Sequence, residues 1–274
     1  MKFKKMHGLG NDFVILDLRK GEEQPSPALT KEQIKHICDR NFGVGCDLLT
    51  VLEPSQNADA FARFYNADGS QSAACGNATR CVADIIMKEQ GSDACLIETG
   101  RGVLPATRPP DNAGNDMVTI DMGAPLNIEN LDLPPITSPI TSKAGIHSPI
   151  AVDMGNPHCV FFVDSLVDIP VEELGTLVEN NPIFPNKTNV EFVEIISDAK
   201  LRQKTWERGV GVTLACGSGA CAVAAAGVFS DKIGRNVEIE LDGGSLFIEY
   251  RKSDNHLLMT GPVAYVFDGT LSNL

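Results

Sequence analysis

The sequence predicts an α/β protein with many strands and few helices, arranged as two similar domains that face one another. A length of 274 residues suits two domains of ordinary size. Two pairs of matching motifs recur at nearly the same offset along the chain, which indicates a duplicated unit. Short β-branched or aromatic runs are common, whereas only two segments have the length and the alanine content of buried helices.

The duplication is visible in two pairs of segments. The first pair is Ala74-Cys75-Gly76-Asn77-Ala78-Thr79-Arg80 and Ala215-Cys216-Gly217-Ser218-Gly219-Ala220-Cys221. The second pair is Gly10-Asn11-Asp12-Phe13-Val14-Ile15-Leu16-Asp17 and Gly155-Asn156-Pro157-His158-Cys159-Val160-Phe161-Phe162-Val163-Asp164. The cysteines Cys75 and Cys216 are 141 residues apart and the asparagines Asn11 and Asn156 are 145 apart. Because the spacings of two unrelated motif pairs agree within four residues, they predict a repeat of roughly 140 residues.

The elements follow from local patterns. Strands are predicted where short β-branched or aromatic runs end at Gly, Asp or Asn, at residues 13–16, 160–163, 190–196, 237–241 and 246–250. Buried helices are predicted at residues 77–88 and 219–229, each immediately after a Cys-Gly pair. The crossover between the copies is placed where prolines exclude long helices and central strands, at Pro105, Pro109, Pro110, Pro125, Pro134, Pro135, Pro139 and Pro149.

Composition excludes several classes of protein. Hydrophobic residues make up 43% and charged residues 22% of the chain, so a folded core is expected rather than disorder. A net charge of −13 disfavours nucleic acid and anionic membranes as partners. No apolar run is long enough to cross a bilayer, and the first residues lack a secretory stretch, so we expect a cytoplasmic protein. Eight cysteines without a Cys-x-x-Cys pattern indicate reduced thiols rather than disulfides or a zinc site.

The two Cys-Gly segments carry the chemistry. A cysteine at the first turn of a helix meets unpaired backbone N–H groups and the positive end of the helix dipole, so its thiol is expected to ionise more readily. Glycine lets a substrate approach the backbone, where the N–H groups can hold a carboxylate. Packing alone does not explain the repeated Gly after Cys75 and Cys216, although core packing is the expectation for the other six cysteines. A structural anion at each helix N-terminus is the competing use.

Two opposed thiols suit inversion at a carbon next to a carboxylate. One thiolate removes the Cα proton while the other thiol supplies a proton to the opposite face. The helix N-termini are the candidates to stabilise the carbanion, because their N–H groups can bind the carboxylate as it gains enolate character. No Gly-x-Gly-x-x-Gly stands between a strand and a helix, and nothing in the sequence indicates pyridoxal phosphate, so we expect neither cofactor nor metal.

The motifs together resemble the diaminopimelate epimerase family, whose members are cofactor-independent two-cysteine enzymes. They run from end to end of the chain: residues 6–13, 41–45, 64–70, 75–77, 154–158, 189–192, 206–209, 215–219 and 259–262. The resemblance implies two pseudo-symmetric domains, each a barrel-like β-sheet wrapped around a central helix, with the active site in the cleft between them. It implies domains at residues 1–118 and 119–263, with a C-terminal strand at 264–274 returning to the first domain, and a homodimer that acts on a small molecule.

The resemblance also assigns roles at matching positions. Cys75 and Cys216 match the two acid/base residues, and His158 and Glu207 match residues that modulate the cysteine pKa values. The substrate-binding positions are Asn11, Asn66, Gly76, Asn77, Asn156, Asn189, Glu207, Arg208, Gly217 and Ser218. Among them, the backbone of Gly76, Asn77, Gly217 and Ser218 would cradle the reacting carboxylate. An arginine fork suits a carboxylate, amides read both carboxylate and ammonium, and Glu207 would meet the distal ammonium.

Three departures from the family pattern bear on the substrate. Leu48 stands where a glutamine is common, Ala78-Thr79 replaces Gly-Ala, and Val212 replaces Glu. Leu48 removes a possible polar contact, but the retained residues that suit a second amino-acid head group still favour diaminopimelate: Asn66, Asn156, Asn189 and Arg208. The leading hypothesis is interconversion of LL- and meso-2,6-diaminopimelate, on the path to lysine and peptidoglycan. Two alternatives stay open: racemisation of another amino acid such as histidine, and a non-catalytic amino-acid-binding redox sensor in which Cys75 and Cys216 form a disulfide.

Overall fold

The computed structural model describes residues 1–19, 29–109, 116–131, 133, 146 and 148–272. The chain divides into two compact units. Unit 1 comprises Met1–Ile120 and Gly261–Leu274, and unit 2 comprises Asp121–Thr260. The C-terminal segment therefore belongs to the same unit as the N-terminus.

Unit 1 is built from short strands and two helices. Its strands are β1 (Lys2–Gly8), β2 (Asn11–Asp17), β3 (Leu48–Glu53), β4 (Ala60–Asn66), β5 (Gln71–Ser72), β6 (Ala94–Thr99), β7 (Gly102–Thr107), β8 (Met117–Asp121) and β18 (Ala264–Thr270). Its helices are α1 (Lys31–Cys38) and α2 (Gly76–Gln90). Strand β18 pairs antiparallel with β1.

Unit 2 repeats this set of elements. Its strands are β9 (Asn127–Asn130), β10 (Ile150–Asp153), β11 (Pro157–Val163), β12 (Asn189–Ser197), β13 (Lys200–Glu207), β14 (Gly211–Thr213), β15 (Asn236–Leu241), β16 (Gly244–Tyr250) and β17 (Leu257–Pro262). Its helices are α3 (Val171–Glu179) and α4 (Gly217–Phe229).

The strand pairings match step for step between the units. Antiparallel β1–β2, parallel β2–β3, antiparallel β3–β4 and parallel β4–β6 correspond to antiparallel β10–β11, parallel β11–β12, antiparallel β12–β13 and parallel β13–β15. The antiparallel pairs β6–β7 and β15–β16 continue the match. The predicted duplication and the mixed α/β class are confirmed.

Each unit surrounds one apolar helix with strands. Helix α2 packs against β1, β2, β6 and β7, and α4 packs against β9, β10, β11, β12 and β16. Nearly every residue of α4 from Gly217 to Gly227 is buried, which is typical of a helix that is apolar on all sides. Helix α2 ends at Gly91, whose left-handed φ of 64° closes the last turn. Both predicted helices form, and each begins slightly before its predicted first residue.

The proline-rich crossover differs from the prediction. Pro105 lies inside β7, which pairs along its length with β6, and β8 and β9 also fall within the predicted crossover. Proline is tolerated there because β7 pairs with β8 only from Ala106 onward, so a proline without an N–H interrupts no ladder bond on that side. Four of the prolines lie outside the described residues: Pro110, Pro134, Pro135 and Pro139.

Candidate functional site

Unit 1 places Cys75 as the N-cap residue of α2, with extended backbone dihedrals. Its half-buried thiol lies 3.9 Å from Asn11 Oδ1. The same oxygen accepts a hydrogen bond of 3.3 Å from Asn77 Nδ2. Asn11 is in turn fixed by donating to Asp47 Oδ2 at 3.0 Å. Three of the predicted residues, Cys75, Asn11 and Asn77, therefore form one cluster at the start of the helix.

Unit 2 places Cys216 at the equivalent N-cap of α4. The Cys216 sulfur accepts the Gly219 backbone N–H at 3.4 Å and lies 3.6 Å from Ser218 Oγ. The Ser218 hydroxyl also receives a hydrogen bond of 3.2 Å from Asn156 Nδ2. The predicted residues Cys216, Ser218 and Asn156 thus form a second cluster, and the residue Cys216 is only 6% exposed.

The ionisation of Cys216 differs from the expectation for a cysteine at a helix N-terminus. Burial, followed by the negative charges of Glu207 and Glu191, raises the pKa of the Cys216 thiol well above its ordinary value. Hydrogen bonds from Ser218 and the Gly219 N–H act in the opposite direction and are outweighed. The prediction of a readily ionised thiol is wrong for this cysteine, because desolvation and two acidic neighbours outweigh the hydrogen bonds that the first turn of the helix supplies.

His158 lies in β11 and faces a buried carboxylate. Its Nδ1 is 2.7 Å from Glu191 Oε1, and both side chains are fully buried. A Cβ added to Gly219 would lie 2.6 Å from Glu191 Oε1, so this carboxylate abuts the first turn of α4. Among the described residues, His158 Nε2 and Glu191 Oε2 have no hydrogen-bond partner. The pair is therefore an ionisable group next to the cysteine-bearing turn.

A cavity of about 610 Å³ lies in unit 2, beside Asn156 and Pro157 at the start of β11. Asn156 and Arg208 line it, together with Asn186 and Lys187 from the segment before β12. The Arg208 backbone N–H donates to Asn189 Oδ1 at 2.9 Å, and Arg208 Nη1 donates to the Asn186 carbonyl at 3.0 Å. A guanidinium at the wall of this cavity suits a carboxylate ligand.

The remaining predicted residues stand at strand ends. Glu207 ends β13, where its Oε1 accepts a hydrogen bond of 2.6 Å from Thr213 Oγ1. Asn66 ends β4 and donates to Ser70 Oγ at 3.0 Å. Leu48 is nearly buried and is the direct cross-strand partner of Asn66. Leu48 and Asn66 therefore stand side by side, at the first residue of β3 and the last residue of β4.

Two functional candidates were absent from the prediction, Glu191 and Glu179. Glu191 interrupts the apolar run of β12 with an acidic residue that is completely buried. Glu179 closes α3, where it is 4% exposed. An acidic residue in an apolar strand was a readable signal for Glu191, because carboxylates are rarely buried without a role or a partner. Nothing in the local sequence marks Glu179, since many helices end in polar residues.

Neither a cluster of metal-binding side chains nor a membrane-spanning helix is found in the part of the chain that the structure describes. No group of three or more His, Cys, Asp or Glu side chains is arranged there to hold an ion. No helix among the same residues is both long and apolar enough to cross a bilayer.

These features define a duplicated α/β protein in which each unit carries a cysteine at the N-terminus of its central helix, beside asparagine amides. The family model for diaminopimelate epimerase matches residues 3–127 and 150–266. The chain belongs to the diaminopimelate epimerase family. It is an isomerase of the amino-acid epimerase class.

Curated relatives agree along almost the whole chain. A diaminopimelate epimerase of Acidiphilium cryptum is 45% identical over 98% of this chain and 95% of its own length. Its counterpart from Phenylobacterium zucineum is 43% identical over 98% of this chain and 97% of its own length. A diaminopimelate epimerase of Methanococcus maripaludis is 41% identical over 99% of both chains.

Solved structures of low sequence identity share the fold. A phenazine biosynthesis protein of the PhzF family from Bacillus anthracis superposes with a TM-score of 0.73 at 16% identity, over 100% of this chain and 99% of that one. A hydroxyproline epimerase from Agrobacterium vitis, with bound trans-4-hydroxy-L-proline, superposes with a TM-score of 0.69 at 16% identity, over 98% and 91% of the two chains. At these identities the likeness concerns the fold alone.

Proposed function

We propose that the protein interconverts LL- and meso-2,6-diaminopimelate by proton transfer at one α-carbon between the thiols of Cys75 and Cys216, without a cofactor. The observation that carries this proposal is the duplicated Cys-Gly helix start. Membership of the family and the near-full-length similarity to diaminopimelate epimerases supply the substrate. The reaction would stand on the path to lysine and peptidoglycan precursors.

Inversion needs one group that removes the α-proton and one that supplies a proton from the opposite face. The thiolate of one cysteine takes the proton as its S–H bond forms, and the C–H electron pair remains on the α-carbon. The thiol of the other cysteine then gives its proton to that carbon. The resting state of Cys216 fits the second role in one direction of the reaction, because burial and its acidic neighbours raise the pKa of this thiol and keep it protonated.

The carbanion is the costly species. An amino-acid α-proton is far less acidic than a thiol, and each pKa unit of mismatch costs about 1.4 kcal/mol. The first turns of α2 and α4 offer N–H groups at Gly76, Asn77, Gly217 and Ser218, which would bind the reacting carboxylate as it gains enolate character. This stabilisation costs no reorganisation, because the donors belong to fixed helix starts.

The polar side chains near the two helix starts would bind the rest of the substrate. Asn11, Asn66, Asn156, Asn189 and Arg208 offer amides and a guanidinium, and Glu207 would accept from the distal ammonium. His158 and Glu207 would in addition adjust the pKa values of the thiols. The Arg208 guanidinium at the wall of the cavity supports a substrate with a second carboxylate. That second carboxylate separates diaminopimelate from amino acids that have only one.

Turnover of LL-diaminopimelate in D₂O tests the proposal. With two distinct thiol bases, the product acquires deuterium at the inverted carbon while the residual substrate stays protiated early in the reaction. Rapid deuterium exchange into the substrate would contradict two separate bases. Failure with diaminopimelate but turnover of another amino acid, in a panel that includes histidine, would instead assign a different racemase.

We also propose a homodimer. Strand β18 carries the half-exposed apolar side chains of Tyr265, Val266 and Phe267. Exposed large apolar residues grouped on one strand favour an interface. Sedimentation velocity measures the assembly directly: a dimer is expected for the wild type and a shift toward monomer for Val266→Lys, whereas a wild-type monomer over the whole concentration range would refute it.

A further inference from the structure

One buried carboxylate joins three segments of unit 2. Glu179 Oε2 accepts a hydrogen bond of 2.7 Å from Trp206 Nε1. Its Oε1 accepts from the Gly209 backbone N–H at 3.1 Å and from Lys187 Nζ at 3.2 Å. A carboxylate has room for all three donors, and bonds to a charged acceptor are stronger than neutral ones. The end of α3 is thereby tied to β13, to the turn after it, and to the segment that leads into β12.

Two of these segments form walls of the cavity near Asn156. Lys187 lines the cavity from one side, and Arg208, which lies between Trp206 and Gly209, lines it from another. Glu179 binds Trp206, two residues before Arg208, and Gly209, the residue after it. It also binds Lys187, although Glu179 itself does not line the cavity. Glu179 therefore holds the segment that carries Arg208 at a set distance from the segment that carries Lys187.

The indole of Trp206 is held by shape as well as by its hydrogen bond. A Cβ added to Gly175 in α3 would lie 2.4 Å from Trp206 Cγ, so the ring rests directly on the helix backbone. Lys187 has a left-handed φ of 60°, which is uncommon for a residue with a long side chain. Such a conformation persists where the surroundings fix it, and the ion pair with Glu179 is one such constraint.

Glu179 carries its charge at neutral pH. Burial disfavours the charged form, but the hydrogen bonds from Trp206, Lys187 and the Gly209 N–H outweigh burial, and the pKa of Glu179 lies below its ordinary value. The Glu179 carboxylate therefore keeps its hydrogen bonds to all three donors at neutral pH.

We propose that Glu179 is a positioning residue that sets the width of the Arg208 pocket and so determines how tightly the enzyme holds the distal, non-reacting end of its substrate. This inference rests on the proposed function, because it assigns the distal end of diaminopimelate to the pocket. Arg208 binds a carboxylate well only when its fork is correctly placed, and Glu179 places the backbone on which that fork stands.

The test uses Glu179→Gln in the full-length protein. An amide keeps the size but loses the charge, and its NH₂ group donates and cannot accept, so at least one of the three donors loses its acceptor. We expect KM for diaminopimelate to rise about tenfold or more while kcat falls less, because the loss concerns binding away from the reacting carbon. The matched control is Glu173→Gln, an exposed residue of the same helix, for which wild-type KM and kcat are expected.

Fluorescence gives a second readout, because Trp206 is the single tryptophan of the chain. Its emission maximum should shift in Glu179→Gln but not in Glu173→Gln, since only the former replaces the charged group that accepts the indole N–H. Wild-type KM and emission in Glu179→Gln would overturn the proposal, and so would a loss confined to kcat. If Glu179→Gln does not fold, Trp206→Phe keeps a ring on Gly175 without the N–H donor; a raised KM supports the proposal and an unchanged KM overturns it.

The two hypotheses fail in different ways. Absence of turnover by the wild type with diaminopimelate would refute the proposed function. The Trp206 emission of the Glu179→Gln protein without substrate would still report whether Glu179 holds the pocket wall. A normal wild-type reaction together with an unaffected Glu179→Gln protein would refute only the positioning role.

Discussion

The two cysteine-bearing helix starts share a backbone but differ in their surroundings. Both cysteines are N-cap residues with extended dihedrals, and each stands before a glycine that opens the buried helix. The half-buried Cys75 faces the amide of Asn11, whereas Cys216 is 6% exposed and accepts the Gly219 N–H. The two units therefore share the backbone geometry of the helix start, while the two thiols lie in different environments.

The difference extends to the strands beneath the helices. In unit 2, His158 and Glu191 occupy β11 and β12, two strands paired in parallel. The same register in β2 and β3 of unit 1 holds Phe13 and Thr50. An apolar ring and a hydroxyl thus stand where unit 2 has an ionisable pair. The chemistry of the two thiols is consequently not related by symmetry, even though the folds that carry them are.

Removal of either thiol is expected to have the largest effect. Cys75→Ala and Cys216→Ala should each lower kcat by about 10²- to 10⁴-fold, since each deletes one of the two proton-transfer groups. Steady-state conversion of LL- to meso-diaminopimelate measures this directly. Full activity in one of the two variants would remove that cysteine from the mechanism and break the comparison.

Each helix provides its own control for these substitutions. Cys81 in α2 and Cys221 in α4 are buried cysteines one to two turns further along. Cys81→Ala and Cys221→Ala should retain activity per folded molecule, because these side chains belong to the core. Their measured loss of stability also calibrates the structural cost of losing a sulfur from each helix.

Alkylation should separate the two thiols by rate. Thiolates rather than thiols react with iodoacetamide, and Cys216 is both nearly covered and raised in pKa by burial and by Glu207 and Glu191. At pH 7.5 we expect Cys75 to be labelled at least about tenfold faster than Cys216. Mass spectrometry of the tryptic peptides gives both rates in one experiment. Equal rates would mean that the structural difference between the helix starts does not persist in solution.

The two helix starts differ at the third residue after each cysteine, and substitutions there should change the free energy of unfolding by different amounts. Ala78 is fully buried in α2, whereas Gly219 occupies the same place in α4 and leaves no space for a Cβ beside Glu191. Gly219→Ala should cost roughly 1–3 kcal/mol of unfolding free energy and lower activity, because the methyl group displaces Glu191 or the Cys216 turn. Urea unfolding and kcat measure both effects.

The reciprocal change sharpens this result. Ala78→Gly should cost only about 1 kcal/mol, chiefly through helix propensity, and leave the Cys75 cluster in place. Undiminished activity and stability of Gly219→Ala would show that Glu191 does not press on the α4 turn.

Much of the architecture was predictable because the duplication appears in short motifs. The Cys-Gly pairs fixed the starts of α2 and α4 to within two residues, since few other residue patterns open an alanine-rich buried helix. The predicted strands all fall within β2, β11, β12, β15 and β16. Proline was a less reliable guide, because Pro105 is accommodated in β7 where one edge needs no N–H donor.

The electrostatics of the site could not be predicted from sequence. A helix start alone favours an ionised cysteine, yet Glu191 and Glu207 approach Cys216 from β12 and β13, which only the folded sheet brings close. Glu179 acts through Trp206 and Lys187, which are distant in sequence from one another. Contacts between residues that are far apart in the sequence leave no local sequence signal. The chemical difference between the two units could therefore be seen only in the structure.

The smallest effect concerns the charge beneath Cys216. Glu191 contributes to the raised pKa of that thiol, so Glu191→Gln should lower the pKa and increase the thiolate fraction at a fixed pH. The sign follows because a neighbouring negative charge opposes ionisation, and an amide of the same size removes that charge. The rate at which iodoacetamide labels Cys216, followed against pH, should therefore shift to lower pH in the variant. Glu249→Gln, an exposed change on β16, serves as the control and should leave the profile unchanged. Labelling of Cys75 should not respond to either substitution, and a shift at Cys75 comparable to that at Cys216 would show that Glu191 is not specific to one helix start.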